Sequence, residues 1–163
     1  MRAGVGWGSQ GTVSPVADTD PLAAGLATLL EWNAERRRNF AAIVQLTGAG
    51  AEAAERDPAT LIPRLQRYVE ALPLAEFEAD DWFTLQTDLA TFLGRLAAVR
   101  RAAYWGVRAA PSTPRGYRYV VATADGRAAD PYEIVALEFQ EDVVDVVRMI
   151  ATVEATLDAA VTG

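Results

Sequence analysis

Residues 130–158 read DPYEIVALEFQEDVVDVVRMIATVEATLD, and their apolar positions decide the fold class. Tyr132, Val135, Phe139, Val143, Val146, Ile150, Val153 and Leu157 follow one another by three or four residues, the period of a helix that buries one face. Asp130, Pro131 and Glu133 open the stretch with an N-cap side chain, a proline at the first helical position and a glutamate three residues after the cap. The seam and the cap together predict one helix of roughly 30 residues, in preference to a strand over 133–139.

Working back from that seam, the same period recurs. Asp20 and Pro21 open a first helix in which Leu22, Leu26, Leu29, Asn33, Phe40 and Val44 form an apolar stripe as far as Leu46, until Gly48 and Gly50 stop it. Asn33 falls on the stripe, where a buried amide needs a partner, so it sets packing register, meets another chain, or belongs to a merely exposed segment. Arg36, Arg37 and Arg38 follow Glu31 and Glu35 by about one turn, which reads as a solvated helix face. A second helix is expected over 60–72, with Pro63 in its first turn and Pro73 at its end. The third starts at Asp80 or Asp81 and carries Trp82, Leu85, Leu89, Phe92, Leu93, Leu96, Val99 and Ala103 for about 25 residues. Gly94 inside it costs on the order of 1 kcal/mol relative to alanine, which is explained by a neighbouring helix approaching closely.

Pro111, Pro114 and Gly116 mark an exit loop, and the Tyr, Val and Thr content of 117–123 predicts a strand. Asp125 and Gly126 form a turn after it, leaving room for only a short hairpin partner. The expected fold is therefore mainly α, a four-helix bundle with a short β-hairpin or single strand before the last helix. Residues 1–18 read as a disordered Gly/Ser-rich tail whose one sticky residue, Trp7, is either a docking motif or a loosely packed side chain, and 19–163 as a single helical-bundle domain.

Composition limits the chemistry. The 163 residues include no His, Cys or Lys. This excludes a Ser-His-Asp triad, a thiolate nucleophile, a Schiff-base lysine, a Walker lysine and the usual zinc and haem ligand sets. Carboxylate, tyrosine, hydroxyl and arginine chemistry remains, and a non-catalytic role with no cofactor and no metal becomes the expectation. Residues 1–17 lack an apolar run resembling a signal peptide, and no segment reaches the roughly 18 apolar residues of a membrane span. A cytoplasmic protein with no membrane partner is expected.

Charge is unevenly placed. The chain has a formal charge of −7, yet between Asp88 and Asp125 there is no acidic residue and there are six arginines, Arg95, Arg100, Arg101, Arg108, Arg115 and Arg118. Tyr104, Trp105, Tyr117 and Tyr119 are interleaved with them. Such a field selects partners whatever the fold. Three readings follow. The arginines pair internally with the acidic last helix, which holds Glu133, Glu138, Glu141, Asp142, Asp145, Glu154 and Asp158; or they meet a protein partner through an acidic surface or a sheet edge; or, with the aromatics, they bind RNA or single-stranded DNA. The expected function is that of a non-catalytic helical-bundle adaptor or small subunit of a larger assembly, with the nucleoprotein subunit as alternative and homo-oligomerisation left open. A third reading takes Glu138, Glu141, Asp142 and Asp145 as oxygens for Mg²⁺ on one helix face, which resembles the acidic metal sites of all-α nucleotide pyrophosphatases, although the paired glutamates expected on an earlier helix are missing.

Overall fold

Asp20 accepts a hydrogen bond from the Leu22 amide at 3.0 Å, Pro21 occupies the first helical position, and α1 runs Pro21–Leu46. The computed structural model describes residues 20–159; the expected tail with Trp7 lies outside the described residues. After α1 come α2 (Ala51–Arg56), a 3-10 turn at Pro58–Leu61, α3 (Ile62–Glu70) and α4 (Ala79–Arg101). Three strands follow, β1 (Tyr104–Ala109), β2 (Tyr117–Ala122) and β3 (Ala128–Ala129), then α5 (Pro131–Glu138) and α6 (Val146–Asp158). The fold is mainly helical with one small antiparallel sheet in the order β1-β2-β3. Among the described residues no helix is long and apolar enough to cross a membrane.

Three features depart from the sequence expectation. First, α4 stops at Arg101, because Ala102 takes a left-handed conformation at φ 50° and turns the chain into a strand. The main partner of β2 therefore precedes it, pairing from Tyr104 with Ala122 to Ala109 with Tyr117, whereas β3, after the Asp125 and Gly126 turn, pairs through only two residues. Second, the last helix is broken. Asp145 caps α6 by accepting from the Val147 amide at 2.8 Å, and buried Glu138 accepts from the Asp145 amide at 2.7 Å and from Arg148 Nε at 2.9 Å. Gln66 of α3 closes the gap, accepting from the Val146 amide at 2.8 Å and donating to the Val144 carbonyl at 3.1 Å. The seam keeps its spacing through the break, except that Val143 turns outward and is 64% exposed. Third, the expected 60–72 helix is the shorter α3, with the 3-10 turn and α2 before it. Two long helices thus take the place of the expected four rods.

The core lies between the second half of α1 and α3, α4, α5 and α6, with Leu89 and Phe92 fully buried at its centre. Burying each such side chain contributes about 1.5–3 kcal/mol. The first half of α1 packs on the β1-β2 hairpin instead. A Cβ added at Gly25 would lie 2.6 Å from Val107 Cγ1 and 2.8 Å from the Tyr117 ring, so only glycine allows this approach. Gly94 does the same for α4, but the group against it is the Trp105 indole of β1, not another helix.

Candidate partner-binding surface

The fold distributes the arginine-rich stretch over several neighbours. Arg95 donates to Glu55 of α2, to its Oε2 at 2.7 Å and its carbonyl at 2.8 Å. Arg100 pairs with Glu154 at 3.1 Å and Arg101 with Asp158 at 2.8 Å, which ties the end of α4 to α6. Arg118 reaches Asp130 at 3.1 Å and Glu133 at 2.8 Å at the start of α5. Arg108 and Arg115 are exposed and have no ion-pair partner among the described residues. The six arginines are therefore not brought together on one face.

The aromatic residues divide as well. Tyr104 is exposed on β1, while half-buried Trp105 fills the notch at Gly94. Tyr119 is buried, stacks on Trp32 with ring centroids 3.9 Å apart and shares a 2.5 Å hydrogen bond with Thr28. Tyr117 stands edge-on to it at 5.6 Å. Burial pushes the Tyr119 hydroxyl above its ordinary pKa, against the bond from Thr28.

Sequence reasoning missed the centre of this arrangement. Arg36, expected on a solvated face with Arg37 and Arg38, is only 5% exposed, whereas Arg37 and Arg38 do face solvent. Its guanidinium lies 4.4 Å from the Trp32 ring centroid and donates to Thr91 Oγ1 at 3.5 Å, to Glu35 at 2.7 Å and to the Tyr132 hydroxyl. Trp32 is thereby held between a cation and a tyrosine. Gly25, Leu29, Trp32, Arg36, Phe40 and Ile43 form the inner line of α1 at helical spacing, and an arginine and a glycine within it hide the line from an apolar pattern. The Gly25 and Trp32 spacing is the signal that could have exposed it. Beside this line an open cleft of about 680 Å³ lies between α1, α4, β2 and the start of α5, walled by Trp32, Phe83, Tyr117 and Tyr132, with Glu31 and Arg115 among its polar groups. Burial raises the Tyr132 pKa, opposed by the Arg36 charge.

Among the described residues the outer edge of β1 has no strand paired to it. The Ala110 amide donates to the Gly116 carbonyl at 2.8 Å, which fixes 108 with 118 and 106 with 120 as the inward-bonding pairs of the antiparallel ladder. The amides and carbonyls of Trp105, Val107 and Ala109 consequently point away from β2, and none has a hydrogen-bond partner among the described residues. Next to this edge runs a part of α1 that no other described residue covers. Thr28 bonds Tyr119 on the β2 side, so Leu26 and Leu30, on the opposite flank of the helix, lie on the β1 side, 58% and 84% exposed. Leu26 belongs to the apolar stripe read from the sequence, whose later members, Phe40 and Val44, are in the core.

The acidic cluster considered for Mg²⁺ is occupied otherwise, since Glu138 is held by Arg148 and Asp145 caps α6. Among the described residues no group of three or more His, Cys, Asp or Glu side chains is placed to hold a metal ion. Compared with protein-family models, curated proteins and solved structures, the chain matches none.

Proposed function

We propose that this chain is a non-catalytic, cytoplasmic adaptor or small subunit of a larger assembly, a helical bundle that offers its β1-β2 hairpin to a protein partner. The observation that carries this reading is the contrast among the arginines: Arg95, Arg100, Arg101 and Arg118 are paired internally, whereas Arg108 and Arg115 on the hairpin are exposed and unpaired among the described residues. Unmatched guanidinium groups on a chain of formal charge −7 favour an acidic contact and orient its approach. The non-catalytic part of the reading draws support from composition, since without His, Cys or Lys the usual nucleophiles and general bases are missing. The RNA or single-stranded DNA alternative has less support, since within the six-arginine stretch only Arg108 and Arg115 are unpaired among the described residues, and two cations neutralise few phosphates.

Affinity capture from the native source, comparing the wild-type chain with Arg108→Glu/Arg115→Glu, tests the proposal. A protein enriched by the first and lost by the second is the expected result. Identical capture by both removes it, and salt-sensitive binding of labelled oligonucleotides by the wild type alone would move the reading to the nucleoprotein alternative.

A further inference from the structure

We infer that the partner adds an extended, acidic segment as a fourth strand on the outer edge of β1, with its apolar side chains set against Leu26 and Leu30 of α1. This rests on the adaptor reading and specifies its contact. An edge with free amides and carbonyls at Trp105, Val107 and Ala109 is a template for another strand, and main-chain bonds supply attraction without regard to sequence. Side chains supply the selection. By the register, Trp105, Val107 and Ala109 share the face covered by α1, while Tyr104, Gly106 and Arg108 lie on the other. An incoming strand therefore places alternate residues beside exposed Leu26 and Leu30, and the intervening ones beside Tyr104 and Arg108. The first set favours apolar side chains and the second favours carboxylates, which is the alternation of an acidic amphipathic strand. Gly106 leaves space between Tyr104 and Arg108, since a Cβ there would meet nothing closer than the Tyr104 ring at 4.0 Å.

A second copy of this chain fits the edge less well. Two-fold pairing centred on Val107 sets each Arg108 opposite Gly106 of its mate and diagonal to the other Arg108, so like charges approach and no carboxylate meets either one. Charge complementarity thus selects a foreign acidic segment over self-pairing.

The test is amide NMR of the full chain titrated to millimolar concentration with three synthetic heptapeptides. One alternates Glu and Val, the second alternates Lys and Val, and the third is the Glu peptide with alternate backbone amides N-methylated to remove its pairing donors. The inference expects the Glu peptide to shift the Trp105, Val107 and Ala109 amides, the N-methylated and Lys peptides not to do so, and Arg108→Glu to weaken the Glu peptide about tenfold, the size of losing one favourable charge pair and gaining a repulsive one. Equal shifts from the methylated peptide would overturn strand addition while leaving charge-guided docking intact, and silent β1 amides at the highest concentration would also overturn it. The capture experiment with Arg108→Glu/Arg115→Glu reads the adaptor proposal separately. Dependence of the same amide shifts on protein concentration without peptide would give the edge to a second copy and overturn the foreign occupant.

Discussion

Gly94 is where helix propensity and packing pull in opposite directions. Alanine in a helix interior gains about 1 kcal/mol over glycine, but the new methyl group would collide with the Trp105 indole. Overpacking of a buried contact costs about 1–3 kcal/mol, and with the added Cβ driven into the Trp105 ring the cost falls in the upper part of that range, so the clash wins and Gly94→Ala is expected to lower stability by about 1–2 kcal/mol in urea unfolding. In Gly94→Ala/Trp105→Leu the clash is relieved, and the two effects should be clearly non-additive. Additive effects would mean that the glycine answers to something else. Asp88 gives a second test at this scale. Burial pushes its carboxyl above the ordinary aspartate range, with the Arg36 charge opposing. The folded chain then holds that proton more tightly than the unfolded chain, so this contribution favours folding at low pH and is lost as pH rises through the folded pKa. Asp88→Asn removes the liability. The variant should be more stable than wild type at pH 7, with the difference shrinking as pH falls through the raised folded pKa and gone below about 4, and a variant less stable at pH 7 would reverse the sign.

The ends of the elements show why the hairpin was half legible in the sequence. The 117–123 strand could be read from its Tyr, Val and Thr content, and the first helix from Asp20 and Pro21, because those residues act on their immediate neighbours. The end of α4 could not be read, because Ala102 and Ala103 favour helix continuation and neither glycine nor proline stands there. Tertiary pairing of β1 with β2 overrides that preference and forces Ala102 to φ 50°. The break between α5 and α6 was hidden in another way, since the apolar seam keeps its three and four residue steps across it, and the side chain that closes the gap, Gln66, is far away in the chain. Ala102 makes the argument measurable. The left-handed conformation costs a residue with a Cβ roughly 1–2 kcal/mol, and glycine's extra entropy in the unfolded chain returns about 0.5–1 of it. Ala102→Gly should therefore stabilise the exposed turn by about 0.5–1 kcal/mol in the same urea assay. No gain would mean that the turn is not held left-handed in solution.

At the scale of the molecule, the acid-free stretch of sequence is largely one half of an internal charge match. Its composition was plain from the sequence, but which carboxylate lies opposite each arginine depends on how α4 packs against α2 and α6, and that is not written in local spacing. Arg36 escaped for the same reason, because its neighbours Thr91 and Tyr132 are remote in the chain. Arg100 and Arg101 stand at the carbonyl end of α4, where the helix dipole favours cations, and face Glu154 and Asp158 across the helix interface. These pairs are partly exposed, and such pairs contribute about 0.2–1 kcal/mol each. Replacing both arginines as Arg100→Gln/Arg101→Gln should therefore lower stability by about 1 kcal/mol at low ionic strength. At about 1 M salt the screening length falls to about 3 Å, and the difference from wild type should shrink with it. Arg108→Gln is the control, because that side chain has no ion-pair partner among the described residues. Its effect should stay within about 0.5 kcal/mol at either salt concentration. If Arg108→Gln proves as damaging as the double replacement, the division between paired and free arginines, and with it the charge that guides a partner to β1, does not hold.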